Sequence, residues 1–331
     1  MSDFDTIVVV DWSGGNDTGA RPQKDAIWAA IVRDGVADAP VYLRNRSLAE
    51  RWLTQLFLAE TAHGRRVLAG FDFPFGYPAG FARAVTGSDD PLGLWDWFDT
   101  HLSDAPEGNN RFDIAGQINA GFPGIGPFWF NATRTDIANL PRKGTDRTGH
   151  GLPECRAVEV RAKGSFTCWQ MGGAGAVGGQ VMTGITTLSR LRRQFSDTMR
   201  VWPFQPLDTA ISLVEVWPSL LADQVRAEAR DAEVRDATQV RVLARALWQM
   251  QVEGTLQNAL AFGSEGLAEG WILGVGAEAA LRHAAQTPGL LRNDCFALPP
   301  GVDWTPVDDA LAHLRDNLAP VTEVHSIMVN Q

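Results

Sequence analysis

The sequence predicts an α/β protein with a mixed sheet, built in the order β-β-β-α-β, then a large inserted region, then a further strand and helices. Three observations predict this class. Short segments rich in β-branched residues and bounded by Gly, Asp and Pro recur near the N-terminus. A segment with helical spacing separates them from another apolar strand. A long stretch rich in Gly, Trp and Phe then interrupts the pattern, which resumes in the second half of the 331-residue chain.

Residues 1–76 are predicted to hold the first part of the core. Asp34-Gly35 is typical of a hairpin turn between the second and third strands. Ser47, with Glu50 three residues later, predicts a capping box that begins a helix ending near His63. The predicted strands are Ile7–Asp11, Ala26–Val32, Val41–Arg44 and Val67–Phe73.

Residues 77–207 are predicted to form an inserted cap, because so loop-rich a segment is full of Trp and Phe and is therefore not expected to be disordered. Residues 208–331 are predicted to complete the core with a strand at Ile211–Val216 and C-terminal helices. One of these helices contains three glycines, which each cost about 1 kcal/mol relative to Ala and indicate close packing on a neighbour. The predicted helices are Leu92–Leu102, Gly178–Gln194, Ser219–Ala229, Val234–Val252, Leu267–Ala285 and Val307–Asn317.

The composition is that of a globular protein and disfavours several other classes. No apolar run is long enough to span a bilayer and no signal peptide is visible, so we expect a cytoplasmic protein without a membrane partner. Cys155, Cys168 and Cys295 are too few and too badly spaced for a disulfide framework or a zinc site. The net charge of −10 argues against a general nucleic-acid binder, although the middle of the chain is locally basic. Nothing in the pattern specifies an oligomeric state.

Three of the predicted strands end on or carry a single acid, namely Asp11, Asp72 and Glu215. An acid on such a strand is costly to desolvate unless something compensates its charge, which suggests that these carboxylates gather at one edge of the sheet. The usual partner of such a cluster is a divalent cation, so Mg²⁺ or Mn²⁺ is the predicted cofactor. Each acid also has a structural interpretation. Asp11 would cap the turn at Ser13-Gly14, Asp72 would brace the bend before Gly76, and Glu215 would pair with a buried Arg.

The order of elements and three motifs resemble a known family. The order is that of the ribonuclease H-like arrangement, in which the first strand and the strand after the first helix lie side by side. Asp11-Trp12-Ser13-Gly14-Gly15, Phe71-Asp72-Phe73-Pro74-Phe75-Gly76 and Glu215-Val216-Trp217-Pro218 are similar to the landmarks of the DUF429 family, predicted nucleases of the ribonuclease H-like superfamily. The resemblance implies that fold and a metal-dependent acid site, and it does not cover the segment from Tyr77 to Arg161.

A fourth acid and a set of phosphate-binding groups complete the predicted site. The family carries its last acid on a C-terminal helix, and the resemblance implies Glu269 for that role. Asp236, at the start of another helix, is predicted to interact with the helix dipole instead. Gly173 and Gly175 belong to a G-x-G-x-x-G sequence that precedes a helix. Its N–H groups would bind phosphate, although close packing is the commoner explanation and no buried strand precedes it as in a dinucleotide site. The basic phosphate-binding candidates are Arg142, Lys143, Arg161 and Lys163.

These observations leave three functional hypotheses. The leading one is a metal-dependent phosphodiester hydrolase acting on nucleic acid or a nucleotide, with Asp11, Asp72, Glu215 and Glu269 as catalytic metal ligands. The second is an enzyme of small nucleotides or of molybdopterin guanine dinucleotide synthesis, with which some similar proteins are associated. The acidic net charge and the glycine-rich loop favour it. The third is a non-catalytic binding module on the same fold, favoured by Glu269 where the family usually carries Asp.

Overall fold

The main sheet has eight strands and combines parallel with antiparallel pairing. The structure is a computed structural model that describes residues 3–19, 21–105, 108–230, 233–287 and 290–291. The predicted helix Val307–Asn317 and Cys295 lie outside the described residues. The strands are β1 (Thr6–Asp11), β2 (Ile27–Arg33), β3 (Val36–Ala37), β4 (Val41–Arg44), β5 (Val67–Phe71), β6 (Asp104–Ala105), β7 (Gly108–Asn109), β8 (Met199–Val201), β9 (Ile211–Glu215) and β10 (Leu290–Leu291).

The first strand occupies the middle of the main sheet, whose order is β10-β3-β2-β1-β5-β9-β8, with β4 paired to β2. β1 is antiparallel to β2 and parallel to β5, and β5, β9 and β8 continue in parallel. β6 and β7 form a separate two-stranded ribbon. The predicted pairing of the first strand with the strand after the first helix is confirmed, as is the α/β class with a mixed sheet. The carboxyl ends of β1, β5 and β9 therefore meet at one edge.

Helices cover both faces of the sheet. Alternate residues of β1 enter different cores, with Val8 and Val10 on one side and Ile7 and Val9 on the other. We name these the α6-side core and the α8-side core after a long helix that contributes to each. The helices are α1 (Arg46–Ala62), α2 (Phe81–Thr86), α3 (Pro91–His101), α4 (Arg111–Asn119), α5 (Ala157–Arg161), α6 (Gly178–Gln194), α7 (Ala222–Glu228), α8 (Arg235–Val252), α9 (Leu256–Ala261) and α10 (Glu278–Gln286). None of the helices within these described ranges is long and apolar enough to cross a bilayer.

The start of α1 differs from its prediction. Asn45, and not Ser47, is the N-cap residue, and its side chain accepts a hydrogen bond from the Leu48 N–H. Glu50 accepts hydrogen bonds from Arg190 of α6 and is not part of a capping box. The chain leaves β4 through a left-handed residue, Arg44, so the helix begins two residues earlier than the local sequence suggests.

The predicted helix Leu267–Ala285 is wrong over its first half. Only residues Glu278–Gln286 are helical, and the chain before them is a loop that returns to the sheet and pairs Ile272 with Glu215. Gly270, Gly274 and Gly276 all have φ between +85° and +103°, a conformation that helices do not contain and that glycine adopts without steric strain. Glu269 therefore lies on a loop, while α8 is the helix that packs directly on β1 and β2.

Parts of residues 77–207 belong to the same packed body as the strands. α6 packs on α1 and α3, and its buried side chains join those of β1 and β5 in the α6-side core. β8 is the last strand of the parallel half of the main sheet, and it is an element that the sequence did not predict. The loop-rich part of this region, from α4 to α6, lies over the carboxyl edge of the sheet and lines a cleft there.

Candidate functional site

Asp11 and Asp72 lie side by side at the carboxyl ends of neighbouring strands. Val10 pairs with Phe71 in the parallel register, and the Asp72 N–H donates to the Val10 carbonyl over 3.0 Å. Since Val10 and Phe71 both enter the α6-side core, the next residue on each strand turns to the opposite face. Both aspartates therefore leave the sheet on the side of α8.

Asp236, in the first turn of α8, completes a group of three aspartates. Its charge acts on both Asp11 and Asp72, and its carboxylate accepts a hydrogen bond from the Asp25 N–H over 2.8 Å. The helix that carries it packs on β1, so the fold brings Asp236 toward Asp11, which lies 225 residues earlier in the sequence. We call Asp11, Asp72 and Asp236 the aspartate group.

The aspartate group carries more negative charge than its surroundings compensate. Burial, followed by the charges of Glu215 and Asp236, raises the pKa of Asp72 from 3.8 to about 7. Burial, followed by the charge of Asp72, raises the pKa of Asp11 well above its usual value, and Arg235 opposes that rise only in part. Burial also raises the pKa of Asp236. Like charges this close favour the protonated forms unless a cation joins them.

The carboxylates of the two strand aspartates lack hydrogen-bond donors among the described residues. Within the described ranges, no N–H or O–H group donates a hydrogen bond to the carboxylate of Asp11 or Asp72. Both side chains keep part of their surface open to solvent. The described residues contain no group of three or more His, Cys, Asp or Glu side chains arranged to hold a metal ion. The strand aspartates thus provide at most a pair of protein ligands to one cation, with Asp236 acting through its charge.

Glu215 is in a different environment, although β9 is adjacent to β5. It pairs with Phe71 in the register, one residue before Asp72, and so leaves the sheet on the opposite face. Arg156 binds it through two hydrogen bonds, Nη2 to Oε1 over 2.6 Å and Nη1 to Oε2 over 2.8 Å, and the Phe75 N–H donates to Oε2 over 2.9 Å. The structural interpretation, a pair with a buried Arg, is what the contacts of Glu215 show.

Arg156 is a fully buried cation between two acids. Its Nε donates to Glu159 over 2.9 Å in addition to the two bonds that it makes with Glu215. Burial of Arg156 favours its neutral form, yet the charges of Glu215 and Glu159 outweigh this and raise the pKa of the guanidinium. Its bonds join β9 to the start of α5, and the planar guanidinium matches the bidentate geometry of the Glu215 carboxylate.

Glu269 also has protein partners. Its carboxylate accepts hydrogen bonds from the Ala79 N–H over 2.5 Å and from the Ala157 N–H, the first of α5, over 2.7 Å. Its carbonyl accepts from Arg156 over 3.1 Å. Glu269 therefore connects the loop before α10 to the loop before α2 and to the first turn of α5. The ligand role that the resemblance implies for it would require these amides to be released.

An open cleft of about 610 Å³ lies at this edge of the sheet. Asp72, Glu215 and Arg156 form part of its wall, and the turn of residues 13–15 and the glycine-rich loop of residues 172–177 form another part. The two phosphate-binding candidates Gly173 and Gly175 both line it.

The glycine-rich loop packs closely on aromatic rings. A Cβ at Gly173 would lie 2.8 Å from the Phe130 ring, and one at Gly175, whose φ is +75°, would lie 2.5 Å from the Phe166 ring. Close packing therefore explains these two glycines. The Gly178 N–H donates to the Gln170 carbonyl. The following two N–H groups, of Gly179 and Gln180, precede the first intrahelical donor of α6, Val181, and both residues line the cleft.

The four basic candidates lie away from the cleft. Arg142 bonds to Asp136 over 2.8 Å, and Arg161 pairs with Glu265 and lies 5.1 Å from the centre of the Trp271 ring. Lys143 and Lys163 are exposed. None of the four lines the cleft, so their role in phosphate binding stays a prediction without support from their positions.

Three site residues escaped the sequence analysis. Asp236 was assigned to the helix dipole, although a helix N-terminus and a cation both attract a carboxylate. Arg111 lines the cleft beside Gly179, and its buried Nε has no hydrogen-bond partner among the described residues, while its Nη1 donates to Asn109 over 2.7 Å. Burial, followed by the charge of Arg46, lowers the pKa of Arg111, and the charge of Asp104 opposes this only in part. Phe166 lines the cleft with 57% of its surface exposed. No local signal distinguishes Arg111 or Phe166 in the sequence.

Comparison of the chain with protein-family models, with curated proteins and with solved structures gave no match.

Proposed function

We propose that the protein is a metal-dependent hydrolase of phosphate esters with a ribonuclease H-like core, and that the aspartate group is its active centre. The observation that carries the proposal is the pair formed by Asp11 and Asp72, two neighbouring carboxylates with raised pKa values and no donor from the described residues. Such a pair is costly in the absence of a cation. The antiparallel β2, the central β1 and the parallel β5 and β9 support the assignment of the core.

The donor set fits one hard divalent cation. Mg²⁺ is commonly held by one or two carboxylates, with water and substrate phosphate oxygens completing its coordination. Asp11 and Asp72 would hold it, and the charge of Asp236 would strengthen the site. A divalent ion in this position stabilises negative charge on a phosphate oxygen and lowers the pKa of bound water.

Arg156 argues for one cation instead of the two that a four-acid set would hold. It already neutralises Glu215 and Glu159 with a fixed bidentate geometry. A second metal on Glu215 would have to displace a fully buried guanidinium, which would lose all of these bonds. Glu215 and Glu269 are therefore assigned to the support of the site. They hold the chain after β5 through the Phe75 and Ala79 N–H groups.

The chain's own residues have distinct roles in this proposal. Asp72 faces the cleft, and the Phe75 turn held by Glu215 fixes the backbone that follows it. Arg111 and the N–H groups of Gly179 and Gln180, which have no acceptor among the described residues, could donate to the non-bridging oxygens of a phosphate in the cleft. A substrate phosphate between these donors and Asp72 would contact Arg111 on one side and the metal held by Asp72 on the other.

The test combines metal binding with catalysis. The wild-type protein is expected to show a higher Tm with Mn²⁺ and to cleave a labelled nucleic-acid substrate or a chromogenic phosphodiester only with metal. Asp11→Asn removes one carboxylate charge and is expected to lose the Mn²⁺ effect on Tm and about 10³-fold or more of the activity, because several kcal/mol of charge stabilisation depend on the cation.

A matched control is Asp223→Asn, because Asp223 is an exposed acid that does not line the cleft. This variant is expected to keep both properties. A Tm of the wild type that does not respond to Mn²⁺, or equal activity in Asp11→Asn and the wild type, would remove the proposed function.

A further inference from the structure

The cleft has the size and the mixed chemistry of a site for one small molecule. Its volume of about 610 Å³ is in the range of ~300–1,000 Å³ that is usual for pockets of small ligands and cofactors. Acidic, cationic and aromatic side chains converge on it, with Asp72 on one wall, Arg111 on another and Phe166 at its surface. A ligand that uses all three carries a phosphate and a flat apolar ring.

Phe166 is the unusual member of this lining. With 57% of its surface exposed it is among the most exposed large apolar side chains of the described chain. The glycine-rich loop lies against its ring at Gly175, which leaves the rest of the ring open. An aromatic ring fixed in this way on a polar cleft offers a stacking surface for a base, and stacking is worth about 1–3 kcal/mol per base.

The surroundings of the cleft favour a single nucleotide over a polymer. A strand of nucleic acid follows a groove of unpaired cations, because each neutralised phosphate contributes to binding. Here the arginines of residues 134–200 are largely engaged with acids, and the net charge of the chain is −10. Examples of these pairs are Arg142 with Asp136, Arg147 with Glu154, Arg161 with Glu265 and Arg190 with Glu50.

We infer that the substrate of this site is a nucleoside phosphate, bound with its base against Phe166 and its phosphate between Arg111 and Asp72. The inference rests on the proposed function, because the phosphate position is the one at which the aspartate group would act. It goes further by giving the substrate class and by assigning base recognition to Phe166.

The experiment measures binding by calorimetry with two probes, GMP and ribose 5-phosphate, in the presence and absence of Mn²⁺. Both probes carry the same phosphate, but only GMP carries a base. Phe166→Leu preserves apolar packing on the glycine-rich loop and removes the ring. It is expected to weaken GMP binding about 5- to 100-fold, the equivalent of one lost stack, and to leave ribose 5-phosphate unchanged. Phe166→Trp is expected to retain GMP binding.

Val160→Ala is the matched control, because Val160 is 69% exposed but does not line the cleft. It is expected to bind both probes as the wild type does. The inference is overturned if the wild type binds neither probe, if it binds both equally, or if Phe166→Leu weakens both equally. It is also overturned if a single-stranded oligonucleotide binds more tightly than GMP with an affinity that falls steeply with salt.

The proposed function and this inference fail in different measurements. In one outcome, GMP binding depends on the base and is lost in Phe166→Leu, while the Tm does not change with Mn²⁺. This outcome supports the nucleotide site and contradicts the metal-dependent reaction. A Tm that responds to Mn²⁺ in both the wild type and Phe166→Leu, with no difference between GMP and ribose 5-phosphate, keeps the reaction and removes the nucleotide.

Discussion

Two groups of acids occupy the same edge of the sheet and differ in their counter-charges. Glu215 and Glu159 share the buried guanidinium of Arg156, which supplies their counter-charge from within the protein. Asp72 follows the adjacent strand β5 and Asp11 ends β1, the strand beyond it, and neither carboxylate accepts a hydrogen bond from the described part of the protein. The charge of the first group is balanced within the protein, whereas that of the second is opposed only in part, by Arg235.

The register of the strands accounts for this difference. Glu215 is level with Phe71, and Asp11 is level with the residue after it, Asp72. An offset of one residue sends neighbouring acids to opposite faces of the sheet, since successive side chains alternate. On one face the acid meets an Arg from the inserted region, and on the other the pair meets a third aspartate, Asp236.

The largest effect on folding is expected when the buried cation between Glu215 and Glu159 is removed. Arg156→Met leaves Glu215 and Glu159 buried without a cation, and the removal of one partner from a buried ion pair costs about 3–5 kcal/mol. We expect a marked loss of stability in urea unfolding and a lower Tm. Arg83→Met is the control, because Arg83 forms its pair with Asp89 at the exposed surface, where solvent screens it. Equal midpoints for the two variants would contradict the role of Arg156.

In the aspartate group, removing a charge is expected to weaken metal binding without destabilising the metal-free protein. Asp236→Asn keeps an acceptor for the Asp25 N–H but removes one negative charge from the aspartate group. We expect Mn²⁺ affinity to fall about 10- to 100-fold, as for outer partners of metal sites, while the metal-free protein does not lose stability. Titration calorimetry with Mn²⁺ measures the affinity.

Asp25→Asn is the graded control for this change, because the Asp25 side chain is 85% exposed and its charge is screened by solvent. It is expected to change the affinity much less than Asp236→Asn does. If both variants bind Mn²⁺ as tightly as the wild type, Asp236 does not belong to the site.

The strands were predictable because their signals are local. β1, β2, β4, β5 and β9 are short runs of β-branched and apolar residues between turn residues, and α6 was predicted with the bounds that it has. β8 is only three residues long, which is too short to give a clear strand pattern. The start of α10 was missed because the apolar pattern of the loop before it continues past its glycines. These elements depend on contacts with distant parts of the chain, which a local pattern does not contain.

The site was predictable only in part, for a related reason. The strand context of Asp11 and Asp72 indicated that they meet, and the parallel register of β1 and β5 brings them together. The same context also suggested Glu215 as a member of the site. The sequence does not show that Glu215 is one residue out of step with Asp72 in the sheet and therefore lies on the opposite face. The partner of Glu215 lies 59 residues away, in a region without periodicity, so the sequence suggested a pair with a buried Arg as an alternative but did not specify which Arg.

The smallest expected effect is a pH dependence of the metal-free protein. The pKa of Asp72 is about 7 in the folded state, against 3.8 for an unperturbed aspartate. Between about pH 4 and pH 7 the folded chain therefore binds a proton that the unfolded chain has released, and the stability of the metal-free protein falls as the pH rises through this window. Asp72→Asn has no such proton and is expected to lack this part of the fall. Its urea midpoint should therefore approach and then exceed that of the wild type toward pH 7 without metal. The effect is less than that of a fully buried group, because the Asp72 side chain is partly open to water.

Added Mn²⁺ is expected to restore the stability of the wild type but not that of Asp72→Asn. The Mn²⁺ affinity of the wild type should increase toward pH 7, because metal and proton compete for the same carboxylate. A constant difference between the two midpoints across this range would show that Asp72 is already ionised at low pH, and the contrast between the two groups of acids would lose its electrostatic basis.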